Sequence, residues 1–161
     1  MMDFLLDIII AGVSTFGFAI LFRVDFKYIG WGVIGGGLSW AVYLLSGELI
    51  PNAFFCALMS AVFATVYSEL LAYICKTPTT VFLMQALIPM VPGGNLYYTM
   101  SNLIMKDYAM AAAKGIATME VILGVSGGVV AASLAVYAIR HIKKKKHDNK
   151  VNSDKSNGGA A

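Results

Sequence analysis

The sequence predicts an all-α integral membrane protein with about five transmembrane helices, of which the fourth is broken at a proline- and glycine-rich segment. Hydrophobic residues make up 58% of the chain and charged residues 13%, against about 25% charged residues in an average soluble domain. The charges lie between apolar stretches that approach the ~20 residues needed to cross a bilayer. The length of 161 residues allows four or five crossings and leaves no room for a separate soluble domain.

The charged residues mark the ends of five predicted spans. The first span carries Asp3 and Asp7 in place of the basic start of a signal peptide, so we expect it to be retained. In chain order, the spans cover about residues 4–22, 28–49, 51–74, 79–104 and 108–139. The last stretch is longer than one crossing needs, and we expect its first part to lie outside the bilayer or to tilt.

The segment Pro89-Met90-Val91-Pro92-Gly93-Gly94-Asn95, called the Pro-Gly segment below, interrupts the fourth span. Proline lacks an amide donor, so two short helices with unpaired backbone groups should meet there. Hydrocarbon tolerates such a break only where protein or a water-filled cavity satisfies these groups. Secondary transporters bind solutes near the bilayer midplane with helices of this kind. We predict that the break is formed by Pro89, Pro92, Gly93 and Gly94. The candidates for polar contacts to a substrate are Gln85, Asn95, Tyr97 and Tyr98.

Lysine and arginine in short loops prefer the cytoplasmic side of a membrane. The broken segment must cross completely if one side of the membrane is to carry Arg23, Lys27, Lys76 and the basic C-terminal tail, residues 140–161. We therefore expect five crossings in the cell membrane, with the N-terminus outside and the C-terminus in the cytoplasm. The alternative, a re-entrant loop with four crossings, would put the tail on the side opposite Lys76. The two tyrosines of the broken span have an alternative role as interfacial anchors.

The predicted domain organisation is a transmembrane helical domain, residues 1–139, followed by a basic and disordered cytoplasmic tail, residues 140–161. The tail includes Lys143 to Lys146, and each lysine near a surface of anionic lipid headgroups contributes ~1 kcal/mol to binding. We expect no nucleic acid as a partner, because that function requires an ordered basic face with aromatic side chains.

Ionisable groups inside spans are costly and often functional. Glu69 and Glu120 are the candidates for carrying a coupling proton, although Glu69 also has the simpler option of pairing with Lys76. The sequence lacks metal-ligand spacing, a nucleotide-binding loop and a convincing nucleophile with its base. We therefore expect no metal, no cofactor and no enzymatic activity.

Small residues on two spans predict close helix packing. Gly32, Gly36 and Ser39 recur at helical spacing in the second span, as do Gly124 and Gly128 in the last. These residues could seat neighbouring helices within one subunit, or bind a second copy or another membrane subunit.

The residues around the break resemble those of the threonine/serine exporter family, and more closely its small YjjB-like membrane subunit. The resemblance covers about residues 8–139. It is carried by Glu69, Lys76-Thr77-Pro78, Val81-Phe82, Ile88 to Gly93 and Tyr97, with support from Gly17 to Phe22 and Gly35 to Gly37.

The resemblance implies a half-transporter that works with a larger membrane subunit of the same family. It implies export of a small carboxylate-bearing metabolite by secondary transport, with threonine and serine or a dicarboxylate such as succinate as substrates. A homo-oligomer is a further alternative for assembly. The competing function is a scaffold that stabilises a partner without transporting anything.

Overall fold

The computed structural model describes the backbone of residues 2–158 and the side chains of residues 5–142. Within this range the fold is all-α, as predicted. The elements are α1 (Met2–Leu21), α2 (Phe26–Leu49), α3 (Ala53–Cys75), α4 (Thr79–Leu87), a 3₁₀ turn (Ile88–Met90), α5 (Gly93–Ile104) and α6 (Tyr108–Gly158).

Three of the described helices are long and apolar enough to cross a membrane. They are α2, α3 and the Tyr108–Ile142 part of α6, while α1 and the segment Thr79–Met90 are shorter apolar helices. Length and composition thus support a membrane protein, and the predicted break of the fourth span is confirmed between α4 and α5.

Contacts along α3 define the direction of its neighbours. Near the start of α3, Gly124 of α6 packs against Phe54 and Ala57. Near its end, Arg140 of α6 pairs with Glu69. The two helices therefore run parallel. By contrast, α2 runs antiparallel to α3, since its early residues lie beside the end of α3 and its late residues beside the start.

The broken element runs back through the bundle between the end of α3 and the start of α6. Phe82 of α4 packs on Leu71 and Ala72 near the end of α3, whereas Met90 lies beside Ser60, close to its start. The broken element therefore runs antiparallel to α3, while α6 runs parallel to it. A re-entrant excursion would instead have left α6 antiparallel to α3.

One end of this bundle collects the basic residues that the sequence analysis assigned to a common side. Tyr28, at the start of α2, packs with Leu71 and Phe82, so the α1–α2 turn, the end of α3 and the start of α4 lie together. This end carries Arg23, Lys27, Lys76 and Arg140.

Small residues allow the close approach of helices within this one chain. A Cβ at Gly128 would lie 2.6 Å from the Leu58 carbonyl oxygen and 2.8 Å from the Ala61 Cβ. Gly36 faces Thr15 of α1 with no space for a methyl group, and Gly124 meets the α3 backbone in the same way. The intramolecular role is thereby confirmed for these glycines. Gly127, in contrast, has open space beside it.

The first part of α6 extends beyond the rest of the bundle. Since Gly124 already lies beside the start of α3, the preceding turns project roughly 20 Å further at 1.5 Å per residue. They pack against α5, with Thr99 3.7 Å from the position of a Cβ at Gly115. At its other end α6 continues helically past residue 139. The side chains of residues 143–161 lie outside the described residues, so the division into a membrane domain and a tail stays a prediction.

Candidate functional site

The break between α4 and α5 is made by two prolines. Pro89 lies in the 3₁₀ turn, and Pro92 precedes α5 without a side-chain cap. Because Pro89 has no N–H, the Gln85 carbonyl loses the donor that a continuous helix would supply. Local bonds compensate in part: the Val91 amide donates to the Ile88 carbonyl at 3.2 Å, and the Gly93 amide to the Val91 carbonyl at 2.7 Å.

A small cavity lies against this break. Its volume is about 120 Å³, and α2, α6 and the break all contribute to it. Since a single water needs only about 10–15 Å³ of such volume, the cavity has room for several waters or one small metabolite. The lining residues are Trp40, Tyr43, Pro89, Met90, Val91, Pro92, Asn95 and Val121.

No charged side chain lines this cavity among the described residues. Its polar character comes from the Asn95 side chain, the two aromatic donors and the backbone at the break. The first amides of α5 carry the partial positive charge of a helix N-terminus, and the end of α4 carries the partial negative charge of a C-terminus. Among the lining groups, the Asn95 side-chain amide can donate to a carboxylate, and an aromatic face can attract an ammonium group.

The cavity is displaced from the middle of α3 towards the start of that helix, and its location near the bilayer midplane stays a prediction. Met90 contacts Ser60, the eighth residue of α3, which lies about 10 Å from the start of that helix and about 22 Å from its end. The shift follows from the lengths of the two halves: α4 packs in full against α2 and α3, and α5 continues beyond them.

Ser60 connects the break to the core. Its hydroxyl donates to the Ser39 carbonyl on α2 and also lies 3.2 Å from the Met90 Sδ. Thr65 and Ser68, further along α3, bond back to carbonyls of their own helix at 2.8 and 2.7 Å. Of these three hydroxyl groups, only that of Ser60 helps to position the Pro-Gly segment.

The structure brings only some of the predicted site residues together. Pro89, Pro92 and Asn95 line the cavity. Gly93 borders a wider groove that faces α1. Gly94 is exposed, with nothing within 4 Å of the position a Cβ would take.

The two tyrosines of α5 point away from the cavity. Tyr97 is 67% exposed and Tyr98 54%, and their rings meet edge to face with centroids 5.5 Å apart. Exposure of this kind fits the alternative role as anchors, or contact with a partner, better than contact with a solute in the cavity.

Gln85 is buried but does not line the cavity. Its Nε2 donates to the Val81 carbonyl at 2.9 Å, and its Oε1 has no hydrogen-bond partner among the described residues. The amide is pressed against Gly32 of α2, where any side chain would collide with it. Gln85 is thus a packed polar side chain of the core, and its contact with a substrate stays a prediction.

Glu69 pairs with Arg140, its Oε2 lying 2.6 Å from the guanidinium Nη2. This pair replaces the pairing with Lys76 that the spacing suggested. Lys76 takes the left-handed conformation that ends α3, with φ 52°, and it is exposed, while the parallel α6 supplies Arg140. Glu69 lies nine residues beyond Ser60, about 13 Å along the helix. Glu120 is exposed, so neither carboxylate lines the cavity.

Sequence reasoning missed three residues of the cavity wall, namely Trp40, Tyr43 and Val121. A signal for two of them was present, because aromatic residues three positions apart lie on one face of a helix. Nothing in the sequence indicated which other helix that face would meet.

A protein-family model described as "Threonine/Serine exporter, ThrE" matches residues 7–135. The matched region contains most of α1, all of α2 to α5 and the first part of α6, and with them every residue that lines the cavity. No curated protein and no solved structure matches the chain.

Proposed function

The chain belongs to the threonine/serine exporter family, and from this premise we propose that it is a subunit of a secondary transporter that exports a small carboxylate-bearing metabolite. Membership makes it an exporter-type membrane transporter rather than a member of an enzyme family. The observation that carries the finer proposal is the cavity at the break, about 120 Å³ in volume.

The cavity suits a small carboxylate for two reasons. Its volume of about 120 Å³ is well below the roughly 300–1,000 Å³ of pockets that bind drug-sized ligands. Its Asn95 side-chain amide can donate to a carboxylate without requiring a cationic side chain. Threonine, serine and a short dicarboxylate such as succinate all meet the size criterion.

We further propose that a larger membrane subunit of the same family covers α5. This helix has no buried residue and contacts α6 as its main neighbour. Its half-exposed polar side chains would be unfavourable against lipid hydrocarbon, and a partner would cover them together with the two exposed tyrosines. A second copy of this chain is the alternative occupant, and anionic lipids remain proposed partners of the basic tail.

The proposed topology has five crossings, with the N-terminus outside and the tail in the cytoplasm. The parallel course of α3 and α6 supports a complete fourth crossing. The common end of Arg23, Lys27 and Lys76 supports a cytoplasmic location for that end.

Glu69 remains the preferred candidate for proton coupling and Glu120 the second. Protonation of Glu69 would release Arg140, which offers a way to link proton binding to movement of α6 against α3. Transport assays with an imposed pH gradient, comparing Glu69→Gln and Glu120→Gln, test this assignment.

The decisive experiment compares two asparagines on α5. Asn95 lines the cavity, whereas Asn102 lies two turns later on nearly the same helix face. We expect Asn95→Leu to reduce efflux of labelled threonine, serine or succinate from loaded cells at least tenfold, and Asn102→Leu to retain it.

Assembly must be measured on the same samples by co-purification with the partner subunit. Lost efflux in a normally assembled Asn95→Leu complex supports transport through this cavity. Parallel loss of assembly and efflux in both variants would favour the scaffold. Full efflux after deletion of this subunit would overturn the proposal.

A further inference from the structure

The stacked aromatic rings of Trp40 and Tyr43 form the α2 side of the cavity at the break. We propose that this aromatic pair contacts the transported solute and sets the upper limit on its size. The inference rests on the proposed transport function and assigns to that site two residues outside the Pro-Gly segment.

The pair is held in place by its own stacking and by contacts of Tyr43. The ring centroids lie 5.1 Å apart with planes inclined by 11°, an arrangement that fixes each ring against the other. Tyr43 also packs on a buried cluster formed by Ala57, Met90 and Val121. The aromatic wall is therefore part of the packed core of the bundle and not a loose surface feature.

The opposite wall has little freedom to widen the cavity. Pro89 and Pro92 have their φ angles fixed by their rings. Met90 is 3% exposed and lies in contact with the Ser60 hydroxyl. With that side held, replacing the ring of Trp40 or Tyr43 by a smaller side chain would enlarge the cavity.

The wall also has chemistry suited to a zwitterion. Trp40 and Tyr43 each carry one polar hydrogen, on the indole N–H and on the phenol O–H, which can donate to a carboxylate. An aromatic face attracts an ammonium group. A dianion would enter this cavity without any cationic side chain to offset its charge, which makes it costly to bind.

Tryptophan fluorescence can test the contact directly, because the chain contains only two tryptophans. Trp31 is 51% exposed, and its carbonyl accepts a hydrogen bond from Tyr67 at 2.9 Å near the basic end of the bundle. The variant Trp31→Phe leaves Trp40 as the single reporter in the full-length protein, and Trp40→Phe leaves Trp31 as the matched control.

We expect threonine or serine to change the emission of the Trp31→Phe protein saturably and to leave the Trp40→Phe protein unchanged. The concentration of succinate needed for the same change in emission should be at least tenfold higher. An unchanged emission from Trp40 at solute concentrations that saturate efflux would overturn the inference while the transport function stands.

The size limit is tested by substitution of the rings. Trp40→Leu should let amino acids larger than threonine, such as leucine and methionine, compete for efflux, whereas the unaltered protein excludes them. Tyr43→Phe should lower the affinity for threonine about two- to tenfold, because the hydroxyl is lost. Tyr73→Phe, at an 80% exposed position on α3, is the control and should have no effect.

The outcomes separate the two proposals. Unchanged selectivity in a folded Trp40→Leu protein that still transports would overturn the aromatic wall alone. If the unaltered protein neither exports nor binds any of the three solutes, the proposed function fails and this inference fails with it.

Discussion

The two halves of the broken helix come from one apolar segment, yet they have opposite environments. Helix α4 packs against α2 and α3 and buries Phe82, Gln85 and Ala86. Helix α5 packs against α6 and buries no residue. The break thus separates a half that belongs to the core from a half that presents its surface outward, with the cavity at the junction.

This difference has a clear origin in the residues of the two halves. Facing α2, α4 meets Gly32, which lets the bulky Gln85 approach the backbone. At the start of α5 no other element comes close to Gly93 or Gly94, since nothing lies within 4 Å of the position that a Cβ would take. Glycine content alone therefore does not predict where helices pack closely.

The largest expected effect is on the stability of α4. Phe82 is fully buried, so Phe82→Ala should destabilise the protein by about 3 kcal/mol or more through the cavity it leaves. Leu96→Ala, at a 46% exposed position on α5, should cost less than about 1 kcal/mol. Thermal unfolding of the purified proteins in detergent measures both, and equal losses would remove the contrast between the two halves.

Substitutions at Gly32 and Gly94 test the same contrast between the surroundings of α4 and those of α5. Gly32→Ala should destabilise by about 1–3 kcal/mol, because the new methyl group would overlap the Gln85 side chain. Adding Gln85→Ala should restore most of the loss. On α5, Gly94→Ala should be neutral or stabilising by up to about 1 kcal/mol. If the double variant does not regain the lost stability, contact with Gln85 is not the reason that position 32 requires glycine.

The ion pair between α3 and α6 should matter less than the glycine contacts. Glu69 is 18% exposed and Arg140 57%, so solvent screens the pair and its coupling energy should be about 1 kcal/mol or less. A double-mutant cycle with Glu69→Gln and Arg140→Gln measures it. A much larger coupling would make the ion pair, and not the small residues, the main attachment of α6.

The smallest effect is expected at the exposed tyrosines. Tyr97→Phe and Tyr98→Phe should change the free energy of unfolding by less than about 0.5 kcal/mol. If a partner covers α5, the same variants should weaken co-purification of that partner. Loss of stability in the isolated subunit would show that α5 is part of the core after all.

Local signals in the sequence were sufficient for the helices and the break. Apolar stretches bounded by charges predicted the spans, and Pro89 and Pro92 predicted the interruption, because the missing amide is a property of the residue itself. The close approach at Gly124 and Gly128 also followed from spacing along one helix.

The remaining features depend on which helices become neighbours. The Glu69–Arg140 pair joins residues 71 positions apart, and only the parallel course of α6 brings them together. Gln85 was expected to contact a substrate, but the unseen proximity of Gly32 makes it a packed side chain. Trp40 and Tyr43 were not predicted as site residues for the same reason, since α2 meets the break only in three dimensions.

The account depends on the break enclosing a water-filled cavity that a solute can enter. In a background with Cys56→Ala and Cys75→Ala, the variant Asn95→Cys places a single thiol in the cavity wall. A membrane-impermeant maleimide, applied to each side of the membrane in turn, should label this thiol from at least one side. Saturating threonine or serine should slow the labelling at least fivefold. Two results would contradict a solute-accessible cavity at the break. One is a thiol that stays unlabelled from both sides, and the other is a thiol that is labelled at the same rate with and without solute in a protein that transports that solute.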